Sequence, residues 1–334
     1  MTTQFDILGI GNILMDIIAP VSDDFLKKEK IEKASMALIG EERATKLTNL
    51  FLSQSKTQEV AGGSAANTIF GIKALGLRAA FIGKVKNDKI GNQIKKSMLN
   101  GGVDFSSSTN KSGPPSGRCL IAVTPDGERS MSTFLGASCM FTEKDIIKSK
   151  IESSLFVYLE GYLFDTQPAK EAFIQVAKIA KSCGRDIALT LSDSFCVDRH
   201  RSSFQSFIND HVNILFANKD ELLSLYECKD IETALYKLSA TKLTACITNG
   251  KSGSIIQCGE EKYYIKACPV NNVIDTTGAG DQYAAGVLAG RAFGLNWPDS
   301  GFLGSIAAAE VISHYGARPL TSIKDGLNQL MLND

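Results

Sequence analysis

Short β-rich runs alternate with longer amphipathic runs over the second half of the chain, from about residue 150 onward. The strand-like runs are 155–160, 186–191, 212–217 and 244–248, and the amphipathic runs between them are 168–182, 199–209 and 219–226. This alternation predicts βα units, whose strands pair in parallel and whose helices cover both faces of the sheet. Residues 212–216 are almost continuously apolar, as a strand buried on both faces requires. The expected fold class is α/β, with a mostly parallel central sheet.

Two regions break this rhythm, because strand-like runs follow one another there without a helix between them. These regions are 13–20 with 34–39, and 117–135, where Pro-Asp-Gly-Glu at 125–128 predicts a turn. We expect the runs to form a small β-sheet lid over the main part of the molecule. The lid strands would be inserted at about 13–40 and 113–138 of one domain that spans 1–334.

Composition restricts the kind of partner. The chain has 36 basic and 36 acidic residues, a formal net charge of zero, so no overall field attracts nucleic acid or an anionic membrane, and a small-molecule partner is expected. The eight cysteines are scattered without a Cys-x-x-Cys pair, which favours reduced thiols over disulfides or a zinc site. The first residues lack a basic, apolar leader, and no run approaches the ~20 apolar residues of a membrane span. A cytoplasmic location is expected.

The segment 275–281 reads Asp-Thr-Thr-Gly-Ala-Gly-Asp and opens an amphipathic helix after a strand-like Val-Ile pair. The backbone of Gly278, Ala279 and Gly280 can approach a ligand closely, and the free N–H groups of a first helical turn bind anions. Such an anion hole stabilises the charge that develops during phosphoryl transfer, and Asp281 can accept the proton of the attacking alcohol. Taken alone, the segment is equally compatible with a tight turn in which Asp281 caps a helix.

Two distant segments together resemble the ribokinase-like (pfkB) family of carbohydrate and nucleoside kinases. The segment 275–281 is similar to the family's C-terminal signature, and Gly-Gly-Ser-Ala-Ala-Asn at 62–67, continuing to Asp88 and Gly91, is similar to its N-terminal motif. Family-like features occur in the family's order over nearly the whole chain. The resemblance implies a ribokinase-like fold and an ATP:alcohol phosphotransferase that uses ATP with Mg²⁺.

The resemblance also implies roles for polar residues that follow the buried strands. Asn218 and Glu221 match the family's Asn-x-x-Glu motif, in which Glu221 reaches Mg²⁺ through water, although Glu221 could instead only complement a helix dipole. Asp275 and Thr277 correspond to a monovalent-cation site, which holds K⁺ in many members. The residues expected to contact the nucleotide are Asn218, Thr248, Asn249, Gly250 and Gly253.

Asp16 is a carboxylate inside an otherwise apolar strand, so its burial requires hydrogen-bond donors. The resemblance implies that Asp16, Gly63 and Asn67 bind the hydroxyls of a sugar or a ribose. The alternative is that Asp16 pairs with an internal cation such as Arg118, because buried charges are usually paired.

Ser64 stands where ribokinases tend to carry lysine, and the segment 11–16 also looks more like the adenosine kinases of the family. The expected reaction is therefore phosphorylation of the 5′-hydroxyl of a purine nucleoside, adenosine to AMP, as in purine salvage. Apolar side chains are expected to flank the base, although ordinary core positions explain them equally well. They are Met36, Phe134 and Phe164, with Leu38 and Leu135.

Other functions share part of the pattern. A sugar kinase of the same family, acting on ribose, fructose or a ketodeoxygluconate-like substrate, would carry every motif above, whereas a regulator on this fold would bind nucleoside without forming ADP. Residues 245–252 fall short of a P-loop because Ala245 replaces a glycine and 244–248 reads as strand. Gly9 and Gly11 could begin the Gly-x-Gly-x-x-Gly motif of a dinucleotide-binding site, but Leu14 stands where the third glycine is needed. Monomer and homodimer are equally compatible with the sequence.

Overall fold

The computed structural model describes residues 3–107, 109–321 and 323. The strands are β1 (Phe5–Ile10), β2 (Leu14–Pro20), β3 (Met36–Leu38), β4 (Gln58–Gly62), β5 (Ala79–Ile82), β6 (Val85–Lys86), β7 (Asp104–Phe105), β8 (Thr109–Asn110), β9 (Arg118–Val123), β10 (Arg129–Phe134), β11 (Ser154–Glu160), β12 (Asp186–Thr190), β13 (Ile214–Asn218), β14 (Thr244–Thr248), β15 (Ser254–Cys258) and β16 (Glu261–Ile265). The α-helices are α1 (Asp23–Lys28), α2 (Glu41–Leu52), α3 (Ser64–Ala74), α4 (Lys89–Asn100), α5 (Lys148–Glu152), α6 (Gln167–Ser182), α7 (Ser194–His211), α8 (Lys219–Tyr226), α9 (Ile231–Ser239), α10 (Ala279–Phe293) and α11 (Trp297–Val311).

Nine strands form the central sheet, in the order β16-β15-β14-β13-β12-β11-β1-β5-β7. Every pairing from β14 to β7 is parallel, and β15 and β16 add two antiparallel pairings at one edge of the sheet. The strands of the second half coincide closely with the predicted runs, and helices separate them as the alternation requires. The α/β fold class predicted from the sequence, with a mostly parallel central sheet and helices on both faces, is confirmed.

Each face of the central sheet carries its own hydrophobic core, because successive side chains of a strand point to opposite faces. In β11, Tyr158 belongs to the core beneath α3, α10 and α11, while Val157 and Leu159 belong to the core beneath α6, α7, α8 and α9. The strands are therefore buried on both sides, as their apolar sequences indicate. The carboxyl ends of the parallel strands, β14 to β7, all meet one edge of the sheet, where ligands of such folds bind.

A separate five-stranded sheet, in the order β3-β10-β9-β2-β4, forms the predicted lid. The expected turn joins β9 to β10, with the Gly127 N–H donating to the Thr124 carbonyl at 2.8 Å. One lid strand, β4, was not predicted, because its sequence Gln-Glu-Val-Ala-Gly is polar at one end and ends in glycine, as suits an exposed edge. A further pair, β6 and β8, forms a two-stranded parallel sheet.

All eight cysteines are free thiols within the described part of the chain. No helix in this part has both the length and the apolar character needed to cross a membrane.

Candidate active site

The two signature segments meet at the first turns of α3 and α10. The Ser64 hydroxyl donates to Oδ1 of Asp281 at 2.6 Å, and the Asn67 amide donates to Oδ2 at 3.2 Å. Both donors lie in the first turn of α3, and Asp281 lies in the first turn of α10. Residues that are more than two hundred positions apart in the sequence thus form one polar cluster.

The backbone before Asp281 has the geometry of an anion site. Gly278 is the N-cap of α10 with φ of +79°, a left-handed conformation that favours glycine, and a Cβ there would lie 2.6 Å from Cβ of Ala317. Gly280 is different, because a Cβ there would meet open space. Within the described residues, no protein acceptor lies on the N–H groups of Gly280 and Asp281. These N–H groups are available to an anion at the helix N-terminus.

Burial raises the pKa of Asp281 to about 6, and the hydrogen bonds from Ser64 and Asn67 oppose that rise. A carboxylate with this pKa is ionised at neutral pH and is more basic than an exposed aspartate. The side chain can therefore accept a proton from a hydroxyl placed beside it.

Glu160, which the motifs did not single out, holds the surrounding backbone in place. Its carboxylate accepts the Asn12 N–H at 3.2 Å and the Ala65 N–H at 2.8 Å, which connects the end of β1 to the start of α3. Burial raises its pKa to about 7, with the Asp281 charge adding to the rise. The position of Glu160 at the carboxyl end of a buried strand was the only sequence signal for this role.

A cavity of about 430 Å³ opens beside Ser64, between the lid and the ends of the central strands, and we call it the apolar cavity. Leu14, Met36, Leu38, Met131, Leu135 and Phe195 supply its apolar walls, and Asn12, Gly63, Thr133, Glu160, Tyr162, Asp165, Asp193 and Arg199 supply polar ones. Met36 and Leu38 are 43% and 55% exposed, as side chains facing an open cavity are. Phe195 follows the carboxyl end of β12, and this position in the sequence could have identified it as a cavity residue.

Asp16 lines a neighbouring cavity of about 490 Å³, the arginine cavity, together with Asn67, Arg129 and Arg318. Leu14 and Asp16 lie on the same face of β2, so the two cavities are neighbours along that strand. Burial raises the pKa of Asp16 to about 7, and the charges of Arg318 and Arg129 oppose that rise. Among the hydrogen bonds of the described residues, none reaches the Asp16 carboxylate, which is therefore free to accept from ligand hydroxyls.

Arg118 does not pair with Asp16. Its guanidinium donates to the Thr45 hydroxyl at 3.2 Å and lies over the Phe134 ring, 5.7 Å from the centroid. The alternative of an internal Asp16–Arg118 pair is wrong.

The structure places two of the expected base-flanking residues elsewhere. Phe134 is buried on the opposite face of β10 from Met131 and Thr133, beneath Arg118, because side chains alternate along a strand. Phe164 lies in an aromatic core, stacked on Phe204 with 4.2 Å between ring centroids. Neither ring lines the apolar cavity.

The residues expected to contact the nucleotide lie at the ends of β13 and β14. Asn218 and Glu221 form a reciprocal capping box at the start of α8: the Asn218 N–H donates to the Glu221 carboxylate at 2.9 Å, and the Glu221 N–H donates to Oδ1 of Asn218 at 2.8 Å. Burial raises the pKa of Glu221 to about 7, with the charges of Asp193, Asp220 and Asp281 adding to the rise. Thr248 ends β14, and the turn after it closes through the Asn249 N–H and the Gly253 carbonyl at 2.8 Å, with Gly250 between them.

A third cavity, of about 530 Å³, lies beside Asp275 and is called the loop cavity. Its lining residues come from the segment 268–274, from α11 and from the stretch that follows it: Cys268, Pro269, Val270, Asn271, Asn272, Ile274, Ile306, Ala309, Glu310, Ser313, Thr321 and Ile323. None of the five expected nucleotide contacts lines it. The segment 268–274 carries no charged side chain and no recognisable motif, so the sequence carried little signal for this cavity.

Asp275 is held by three donors. Oδ2 accepts from Arg129 at 2.6 Å and from the Gly316 N–H at 2.8 Å, and Oδ1 accepts the Thr277 N–H at 3.0 Å. Within the described residues, no group of three or more His, Cys, Asp or Glu side chains is placed to hold a metal ion.

Comparison with known proteins identifies the family that this chain matches and several similar proteins. A model of the pfkB family of carbohydrate kinases matches residues 27–324. A probable sugar kinase from Rhizobium etli is 41% identical and superposes with a TM-score of 0.90, covering 99% of this chain and 100% of its own. An adenosine kinase from Sinorhizobium meliloti is also 41% identical, with a TM-score of 0.89 over 98% of this chain and 99% of its own. Adenosine kinase 2 from Arabidopsis thaliana is 27% identical over 84% of this chain and 86% of its own length.

Proposed function

The chain belongs to the pfkB family of carbohydrate kinases, and on this premise we propose that it transfers the γ-phosphate of ATP to the 5′-hydroxyl of a purine nucleoside, preferably adenosine. The observation that carries the proposal is the apolar cavity, which opens directly beside the Ser64–Asp281 hydrogen bond. A monosaccharide is covered mostly by hydroxyl groups and would bury little apolar surface against these walls, whereas a purine base buries both faces against such side chains. The adenosine kinases among the similar proteins support the same acceptor.

In the proposed binding mode, the base lies against Leu14, Met36 and Met131 in the apolar cavity. The ribose lies between the two cavities, where Asp16 and Asn67 accept from and donate to its hydroxyls. This arrangement brings the 5′-hydroxyl to Asp281. The otherwise costly burial of the Asp16 carboxylate is then compensated by hydrogen bonds from the ligand.

During transfer, Asp281 accepts the proton of the 5′-hydroxyl while that oxygen attacks the γ-phosphate in line. The N–H groups of Gly280 and Asp281 stabilise the charge on the transferring group, because they are fixed in the turn before the reaction begins. The lid lies over the reacting groups and excludes water, which would otherwise compete with the nucleoside as acceptor.

The loop cavity beside Asp275 is the proposed site of the adenine of ATP, which extends the nucleotide contacts beyond Asn218, Thr248, Asn249, Gly250 and Gly253. When bound with the phosphates of ATP, Mg²⁺ would supply positive charge that neutralises part of theirs. Glu221 would hold it through water, because this buried carboxylate lies in the field of Asp193 and Asp281, and such a cluster of negative charge favours a hydrated cation. We propose a cytoplasmic location for the reaction and a role in purine salvage.

A sugar kinase is the second candidate, because a probable sugar kinase is as similar to this chain as the adenosine kinase is. Asp16 and Asn67 would bind hydroxyls of either acceptor.

An acceptor panel tests the proposal. Turnover with ATP and Mg²⁺ is measured for adenosine, inosine, guanosine, ribose and fructose by coupled detection of ADP, and the product is identified by chromatography. We expect adenosine to have a kcat/KM at least about tenfold above that of any sugar, and 5′-deoxyadenosine to yield no ADP. Activity with sugars alone would overturn the nucleoside assignment, and nucleoside binding without ADP would indicate a regulator.

A further inference from the structure

Arg129 connects the lid to the loop that forms the anion site. It is the first residue of lid strand β10, and its Nη2 lies 2.6 Å from Oδ2 of Asp275 in the main domain. Its Nη1 donates to the Thr277 hydroxyl at 3.4 Å. The two charged side chains are only 11% and 5% exposed. Since few charges are buried without a partner, this pair is a built part of the site rather than a surface ion pair.

The same residues, Asp275 and Thr277, correspond by family resemblance to a monovalent-cation site. Their contacts do not fit a second cation. Three donors already approach the Asp275 carboxylate, namely the Arg129 guanidinium and the N–H groups of Gly316 and Thr277. The Thr277 hydroxyl also accepts from Arg129. A K⁺ or Na⁺ ion on this carboxylate would lie against the guanidinium, and like charges repel strongly where water is excluded.

We propose that Arg129 takes the place of the monovalent cation, so that phosphoryl transfer by this protein requires neither K⁺ nor Na⁺. The guanidinium compensates the charge of Asp275, three residues before Gly278, where a phosphate must bind. Tyr315 flanks the guanidinium, 5.8 Å from ring centroid to Cζ, and the Arg129 charge also acts on the Asp16 carboxylate. Because β10 belongs to the lid, the positive charge reaches the loop together with the lid.

This inference rests on phosphotransferase activity but not on the identity of the acceptor. The first test uses the unmodified protein, freed of alkali cations by exchange into tetramethylammonium salts. Turnover is compared in KCl, NaCl and tetramethylammonium chloride at equal ionic strength. We expect the three rates to agree within about twofold, because ionic strength alone then acts. A K⁺ stimulation of tenfold or more would overturn the inference.

The second test removes the guanidinium. Arg129→Met leaves Asp275 without its cation, and we expect turnover to fall at least a hundredfold and to recover at least tenfold with K⁺ or with added guanidinium chloride. Arg129→Lys retains the charge without the two-pronged contact, so we expect a smaller loss and no cation stimulation. Arg43→Met is the matched control, because Arg43 pairs with the buried Glu29 at 3.0 Å in the lid region and lines none of the three cavities. That control should keep the cation response of the unmodified protein.

Thermal unfolding provides a readout that needs no activity. We expect K⁺ in place of tetramethylammonium to leave the melting temperature of the unmodified protein unchanged and to raise that of Arg129→Met. An Arg129→Met protein that responds to K⁺ and guanidinium no more than the unmodified protein, in rate and in melting temperature, contradicts the inference. If no acceptor is phosphorylated, the proposed function fails, while the two melting curves still decide the cation question.

Discussion

The Ser64 hydroxyl and the Asp281 carboxylate form a hydrogen bond of 2.6 Å that joins the first turn of α3 to the first turn of α10. Ser64 fixes Oδ1, and Asn67 fixes Oδ2. These two hydrogen bonds fix the orientation of the carboxylate beside the apolar cavity, which Ser64 lines. In the proposed reaction, this orientation places Asp281, the general base, beside the attacking hydroxyl before the lid closes.

Asp281→Asn should lower kcat by about 10²–10⁴, the usual contribution of a positioned general base, with little change in KM. The amide still accepts from Ser64, so the fold should be retained. Steady-state kinetics and circular dichroism measure the two effects. Ser64→Ala is the companion variant and should lose far less than Asp281→Asn. Near-normal turnover of Asp281→Asn would show that Asp281 is not the general base.

The two glycines before Asp281 should respond differently to alanine. Gly280→Ala adds a methyl group to open space at the proposed phosphate site, so turnover should fall sharply while the melting temperature stays close to that of the unmodified protein. Gly278→Ala forces alanine into φ of +79° against Ala317, and should reduce the free energy of unfolding by about 1 kcal/mol or more. Equal melting temperatures for the two variants would contradict this distinction.

The pH dependence of kcat/KM should follow the ionisation of Asp281 in the free enzyme. Because burial raises its pKa to about 6, activity should rise with pH through about 6 and level off above neutrality. A pH profile of kcat/KM with adenosine measures this. A rise centred near the ordinary aspartate pKa would indicate that the carboxylate is not desolvated.

The stability of the ligand-free protein should change in the opposite direction. Asp16, Glu160 and Glu221 have pKa values raised to about 7, so the folded state keeps protons that the unfolded state releases at lower pH. The free energy of unfolding should therefore fall as pH rises from about 4 to about 7. Urea unfolding at several pH values measures the slope, and Asp16→Asn should make it shallower. A stability that increases across this range would contradict the burial of these charges.

Two phenylalanines give a matched pair for the apolar cavity. Phe195 is 72% exposed and lines the cavity, so Phe195→Ala should raise the KM for adenosine with little effect on stability. Phe164 is 2% exposed and stacks on Phe204, so Phe164→Ala should cost about 3–5 kcal/mol of folding free energy. Steady-state kinetics measures the change in KM, and chemical denaturation measures the change in folding free energy. If Phe195→Ala leaves the KM for adenosine unchanged, the purine base does not bind in the apolar cavity.

Local signals in the sequence predicted the central sheet, because alternating apolar and amphipathic runs depend on residues close together in the chain. The motif residues also met as expected, as Ser64, Asn67 and Asp281 demonstrate. Contacts between distant residues were harder to foresee. The role of Glu160 depends on backbone N–H groups 148 and 95 positions away, which no local pattern records.

The side-chain direction within lid strand β10 was also undetermined by its sequence. Residues 129–134 read Arg-Ser-Met-Ser-Thr-Phe, so either Met131 or Phe134 could have faced the cavity. The register with β9 decides in favour of Met131. Phe164 was ambiguous for another reason, because an aromatic ring after a strand end suits a core as well as a binding site.

The register of the lid strands has a consequence for motion. Leu14 lies opposite Gly62, Met15 opposite Arg118, and Arg118 opposite Phe134, so the four points at which the described chain passes between the lid and the central sheet stand side by side in one row. We expect a lid attached along one such row to turn about it when it moves, because hinge motions concentrate at the ends of elements. The edge of the lid far from the row would then move most, while the edge beside Gly63 would stay with Asp281.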